Sequence, residues 1–85
     1  MWNDRLRLAA GVEGDWLSLS LDERAIARAS LEAIDEDPIA GAPLFEPLRG
    51  LWSYRAGNLR VLYRIAPEAQ RVMILMIGRV TELES

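Results

Sequence analysis

Residues 48–65 read LRGLWSYRAGNLRVLYRI, and the reading of this stretch decides the fold. Gly57 and Asn58 separate two runs rich in aromatic and β-branched residues, the composition of a hairpin with a two-residue turn. A turn there sets Ala56 opposite Leu59, Arg55 opposite Arg60, Tyr54 opposite Val61, Ser53 opposite Leu62 and Trp52 opposite Tyr63. Side chains alternate between the faces of a strand, so Trp52, Tyr54, Leu59, Val61, Tyr63 and Ile65 share one face, expected to be the core side. The other face receives Ser53, Arg55, Arg60, Leu62 and Arg64.

Like charges directly opposite one another destabilise a sheet, which makes the facing Arg55 and Arg60 informative. Two readings stand side by side. The arginines are a solvated surface neutralised by the protein's own acidic segment, or they form a face for an anionic ligand: phosphate, RNA or the carboxylates of a partner. The facing pair brings the second reading level with the first. Trp52, Tyr54 and Tyr63 fall on the core side and are read as packing residues rather than as stacking platforms for bases.

Working outward, a looser turn at APEAQ leads to a third strand-like run over 71–79, in which Met73 and Met76 are expected to fill the core. Upstream, DPIAGAPLFEPLRG (37–50) is dense in Pro and Gly. It reads as an irregular connection with Leu44, Phe45 and Leu48 against the core. SLDE at 20–23 has the form of a capping box and opens a helix ended by Pro38. Leu21, Ala25, Ile26, Ala29, Ala33 and Ile34 are expected to form its apolar stripe. GVEGDWLSL spaces Val12, Trp16 and Leu19 as a short helix would, and RLRLA at 5–9 alternates as a short strand. The expected class is α+β.

The chain has 85 residues, the length of a single domain over 1–85, with no cysteine for a disulfide and no histidine. All ten basic residues are arginine. Nucleophile arrangements that need Ser–His or Cys–His pairs are excluded, as are zinc sites built from those ligands. DEDP at 35–38 lacks the ligand spacing of a calcium loop, so neither a metal nor a cofactor is expected. Chemistry must come from Arg, Tyr and carboxylates. Charge is divided along the chain: four arginines stand against nine acids in residues 1–37, and six arginines against Glu68 alone in residues 48–79. The longest apolar run, VMILMIG at 72–78, is far short of the ~20 residues of a membrane helix, and MWNDRLRLAA lacks the plan of a secretory signal. No membrane partner is expected, and the expected location is cytoplasmic.

LRGLWSYRAGNLRVLYRI, followed by a loop and VMILMIG, resembles the RelE/ParE superfamily of bacterial toxins from type II toxin-antitoxin pairs. The family pattern is L-x-G-x-W/Y-x-x-R-x-G-x-x-R-v-x-Y, then a strand ending near a Gly and a basic residue. ASLEAIDEDPIAGAPLFEPL (29–48) likewise resembles the family's second helix, its DP stop and its linker. The likeness runs over about residues 20 to 79. It implies a small, mostly antiparallel sheet of about four strands with an N-terminal helical hairpin packed on it. It also implies an antitoxin protein that wraps the toxin and covers its basic face, giving a hetero-oligomer.

The RelE branch implies an endoribonuclease that cleaves mRNA on the ribosome and inhibits translation. Arg60 and Arg55 are then the catalytic candidates, stabilising the extra negative charge of phosphodiester attack, and Arg64, Arg79 and Ser53 are RNA-binding candidates. The alternatives are a ParE-like inhibitor of DNA gyrase and a non-toxic module that retains only antitoxin binding. Leu51 and Ser53 stand where RelE-like enzymes carry lysines, and the terminal GRVTELES holds Glu82 and Glu84 but no aromatic residue. A general acid or base is therefore left to Glu46 in the linker, since Tyr63 is expected to face inward.

Overall fold

The computed structural model describes residues 5–80. Its elements in chain order are β1 (Leu6–Leu8), α1 (Val12–Leu17), α2 (Leu21–Glu36), a 3-10 turn (Pro38–Ala40), β2 (Ala42–Pro43), β3 (Trp52–Ala56), β4 (Leu59–Ala66), a second 3-10 turn (Pro67–Ala69) and β5 (Arg71–Arg79). The strands form one sheet in the order β1-β5-β4-β3-β2. β1 runs parallel to β5, and every other neighbouring pair is antiparallel. Both helices pack on one face of this α+β sheet. Five strands are present rather than about four. The additional one is β2, whose two residues include a proline and carry no periodic signal. Among the described residues no helix is long and apolar enough to cross a membrane.

The hairpin has the expected register from Ala56↔Leu59 to Trp52↔Tyr63. Gly57 supplies the positive φ of +57° that a primed two-residue turn demands at its first position. α2 starts on a complete capping box: the Glu23 amide donates to Ser20 Oγ (3.1 Å) and the Ser20 amide donates to Glu23 Oε1 (2.9 Å). The helix ends at Glu36 because Asp37, preceding a proline, is held extended at φ −148°, ψ 91°. α1 has no side-chain cap and only six residues, too few to be stable alone. It is held by its partners instead. Asp15 Oδ2 accepts the Ile77 amide of β5 (3.0 Å), and Arg24 donates from Nε and Nη2 to the carbonyls of Trp16 and Leu17 (3.2 and 3.1 Å).

The core between helices and sheet is built from Leu6, Val12 and Leu19, from Ala27, Leu31 and Ile34 of α2, from Leu59, Val61 and Tyr63 of β4, and from Val72, Ile74 and Ile77 of β5. Tyr63 is fully buried, yet its hydroxyl is satisfied twice: it donates to the Pro38 carbonyl (2.7 Å) and accepts from the Gly41 amide (3.1 Å). Gly41 must be a glycine for this contact. A Cβ there would lie 2.5 Å from Tyr63 Oη and 2.7 Å from the Ser53 carbonyl oxygen.

Three packing expectations are corrected. α2 buries Ala27, Ser30, Leu31 and Ile34, while Leu21, Ala25 and Ala29 lie on the exposed side, so the buried stripe is rotated from the apolar one. Phe45, 83% exposed, and Leu48 stand out from the linker instead of joining the core. That linker closes on itself, with the Leu44 amide donating to the Leu51 carbonyl (2.9 Å) and the Leu48 amide to the Phe45 carbonyl (2.8 Å). Met73 and Met76 face away from the helices. The reason is a β-bulge: Tyr63 pairs with Ile74 but Leu62 pairs with Met76, so Leu75 is an extra residue without a β4 partner. Ile74 and Ile77 can then both point inward although they are an odd number of residues apart.

Candidate functional site

The face of the sheet opposite the helices is assembled by register alone. Ser53 pairs with Leu62, and Leu62 with Met76; Arg55 pairs with Arg60, and Arg60 with Gly78; Arg64 pairs with Met73, and Met73 with Arg7. Alternation along β5 adds Arg71 to the same side. The structure thus brings Ser53, Arg55, Arg60 and Arg64 together, as the hairpin reading expects. Arg55 and Arg64 are exposed and Arg60 is half-buried. Gly78 leaves the position beside Arg60 without a side chain, and the nearest neighbour of a Cβ there would be Met76 Cε at 3.1 Å.

Aliphatic side chains stand between the guanidiniums. Met76 is 48% and Met73 38% exposed, and Leu62 is half-buried. Among the described residues, no strand position on this face is Asp, Glu or Tyr. Glu46 belongs to the linker and is paired with Arg49 at 3.4 Å. Tyr63 is locked in the core, where burial, above all, pushes its hydroxyl pKa up. Glu82 and Glu84 lie outside the described residues. The arrangement can hold an anion or a protein surface by charge and apolar contact. Among the described residues it supplies positive charge and no carboxylate or tyrosine from its strands.

Arg79 is elsewhere. Its register partner is Leu59, on the helix side, and its guanidinium grips Glu23 at 2.7 and 2.8 Å and the Ser18 carbonyl at 3.0 Å. Asn58 of the hairpin turn also donates to Glu23 Oε2 (3.0 Å). The Glu23 carboxyl is held down at about 2, first by the Arg79 hydrogen bond, then by the Ser20 amide and Asn58, while the Arg79 pKa is raised in return. Neutralisation by the acidic segment is therefore true of Arg79, whereas Arg55 and Arg64 have no ion-pair partner among the described residues. Sequence reading missed Arg7 and Arg71 on the arginine face. Their alternation with the buried Leu6 and Val72 was the available signal. On the helix side, a shallow apolar groove lined by Leu8, Val12, Trp16, Leu31 and Ile77 opens beside α1.

Residues 7–83 match the family model described as ParE toxin of type II toxin-antitoxin system, parDE. No match is found among curated proteins. Among solved structures, the chain resembles one in the toxin-antitoxin complex RelBE2 from Mycobacterium tuberculosis, with 29% identity and a TM-score of 0.81 over 87% of this chain and 94% of that one. The isolated E. coli RelE toxin is 18% identical with a TM-score of 0.74, covering 92% of this chain and 87% of that chain. The YoeB/ParE toxin from Agrobacterium tumefaciens is 20% identical with a TM-score of 0.73, covering 88% and 96%. These last two likenesses speak for the fold alone. With the family model spanning nearly the whole chain, the chain belongs to the ParE toxin family of type II toxin-antitoxin systems, within the RelE/ParE superfamily.

Proposed function

We propose that this toxin arrests growth by gripping a protein target, DNA gyrase, through the outer face of its sheet. The observation that carries this reading is the make-up of that face: Arg55, Arg60 and Arg64 interleaved with Leu62, Met73 and Met76, with no acid or base among its described strand residues. Arginine and methionine side by side are typical of protein interfaces, where the guanidinium takes carboxylates and the thioether fills apolar gaps. A face for RNA alone would leave the exposed methionines without a use. The cognate antitoxin neutralises the toxin by binding it, with apolar side chains in the groove lined by Val12, Trp16 and Ile77 and acidic ones on the arginines.

A second reading is favoured by one observation, the pairing of Arg55 with Arg60. Two facing guanidiniums can bracket one phosphate, and on the ribosome they would stabilise the transition state of mRNA cleavage. One experiment separates the readings. The protein is induced in a bacterial culture beside Arg60→Ala at equal level, while supercoiling by purified gyrase and RNA 5′ ends are followed. Inhibited supercoiling with intact mRNA supports the gyrase reading, and codon-linked 5′ ends with normal supercoiling replace it with the nuclease. Absence of arrest by the wild type leaves a module that only binds antitoxin.

A further inference from the structure

We infer that Met73 and Met76 form an oxidisable pair on the arginine face, and that their conversion to sulfoxides reversibly loosens the toxin's hold on its protein target. The chain has no cysteine, and these two thioethers hold the only sulfur atoms among the described residues. Both are exposed, whereas Trp16, Trp52 and Tyr54 are half-buried and Tyr63 is buried. A peroxide reaching the folded chain therefore meets these sulfurs first. The Leu75 bulge sets them there, turning both methionines outward although they are three residues apart.

Each methionine stands beside an arginine. Met73 is the register partner of Arg64, which places their Cβ atoms about 5 Å apart. Met76 pairs with Leu62, and its Cε leans over Gly78, the register partner of Arg60; a Cβ on Gly78 would lie 3.1 Å from that methyl. In the oxidation the sulfur lone pair attacks a peroxide: an S–O bond forms as the O–O bond breaks, the sulfur gives up two electrons, and water leaves. The fold is spared, because neither side chain belongs to the core. The face is not. A flexible apolar side chain becomes polar, and its new oxygen accepts hydrogen bonds from the neighbouring guanidiniums. The target loses an apolar contact, and donors that would take its carboxylates are engaged within the chain.

This inference rests on the reading of the face as one that grips gyrase, and its test keeps the two apart. The full chain is treated with hydrogen peroxide, and the added oxygens are located by peptide mass spectrometry. Supercoiling inhibition is titrated before oxidation, after it, and after repair by methionine sulfoxide reductases of both epimer specificities with dithiothreitol. The expected result is sulfoxide at both positions, an unchanged thermal melt, a potency loss of about tenfold, and recovery on repair. Met73→Leu combined with Met76→Leu, compared only with itself, should pass through the peroxide step without further loss. That variant keeps Met1 and so controls for oxidation elsewhere. A native toxin without effect on gyrase sinks the target reading and this inference with it. Where the native toxin inhibits, the inference alone is overturned by methionines that resist peroxide or by an oxidised toxin of native potency. It is equally overturned by a melt lowered on oxidation, by a loss that the reductases do not repair, or by a double variant that loses as much as the wild type.

Discussion

Arg79, the last residue of β5, holds Glu23, in the first turn of α2, by two hydrogen bonds of 2.7 and 2.8 Å. The same carboxylate takes the Ser20 amide and Asn58 of the hairpin turn, so three distant segments meet on one side chain. Its pKa of about 2 is set first by Arg79 and lies below the ~4.3 of an unfolded glutamate. A carboxyl lowered on folding contributes stability that is complete above the unfolded value and is lost as pH falls through that value toward the folded one. Urea melts between about pH 6 and 2 should therefore show a steeper acid loss for the wild type than for Glu23→Gln, which is less stable at neutral pH. Parallel acid limbs would dismiss the role given to Glu23.

Tyr63→Phe removes a hydroxyl that serves the Pro38 carbonyl and the Gly41 amide, and the expected cost is about 1–3 kcal/mol. Gly41→Ala attacks the same junction by overfilling it, at about 1–3 kcal/mol. Because both act on one contact, the double variant should lose less than the two losses together, which denaturant melts of the four proteins would reveal.

On the arginine face, Arg60→Ala and Arg55→Ala should both relieve growth arrest. Leu62→Ser and Met76→Ser discriminate between the two target readings. An interface uses those aliphatic side chains, so each substitution should weaken gyrase inhibition about tenfold, whereas phosphate contact by the guanidiniums leaves them idle. Dose–response curves of supercoiling inhibition by the purified variants give the answer directly.

Phe45→Ser should leave stability within about 0.5 kcal/mol of the wild type, because the ring is surrounded by solvent. A loss of several times that amount in thermal melts would mean that Phe45 packs against the core after all.

The parts of the fold that could be read in advance are those in which a short-range rule and the tertiary structure agree. Gly57-Asn58 and the alternation on either side of it dictate the register of the hairpin and, with it, the arginine face. Ser20 and Glu23 announce the start of α2 just as plainly. Reading fails where an apolar residue has no apolar partner. Leu21, Ala25 and Ala29 look like a core stripe but lie outward, while Ser30 is buried by donating from its hydroxyl to the Ile26 carbonyl at 2.9 Å. The position of Arg79 was hidden for another reason. Its partner Glu23 is 56 residues away, and nothing local predicts that meeting. The exposed methionines were hidden by a single residue, Leu75, which changes the phase of β5 midway.

That residue also governs how the chain tolerates changes of length. Deleting Leu75 would splice Ile74 to Met76 with their partners Tyr63 and Leu62 unchanged, turning a bulged ladder into a regular one and leaving inside and outside as they were. Removing any other single residue from the middle of β5 would send part of the core into water unless the bulge migrated to absorb the shift. The longest strand of the sheet thus carries one residue that its ladder does not need.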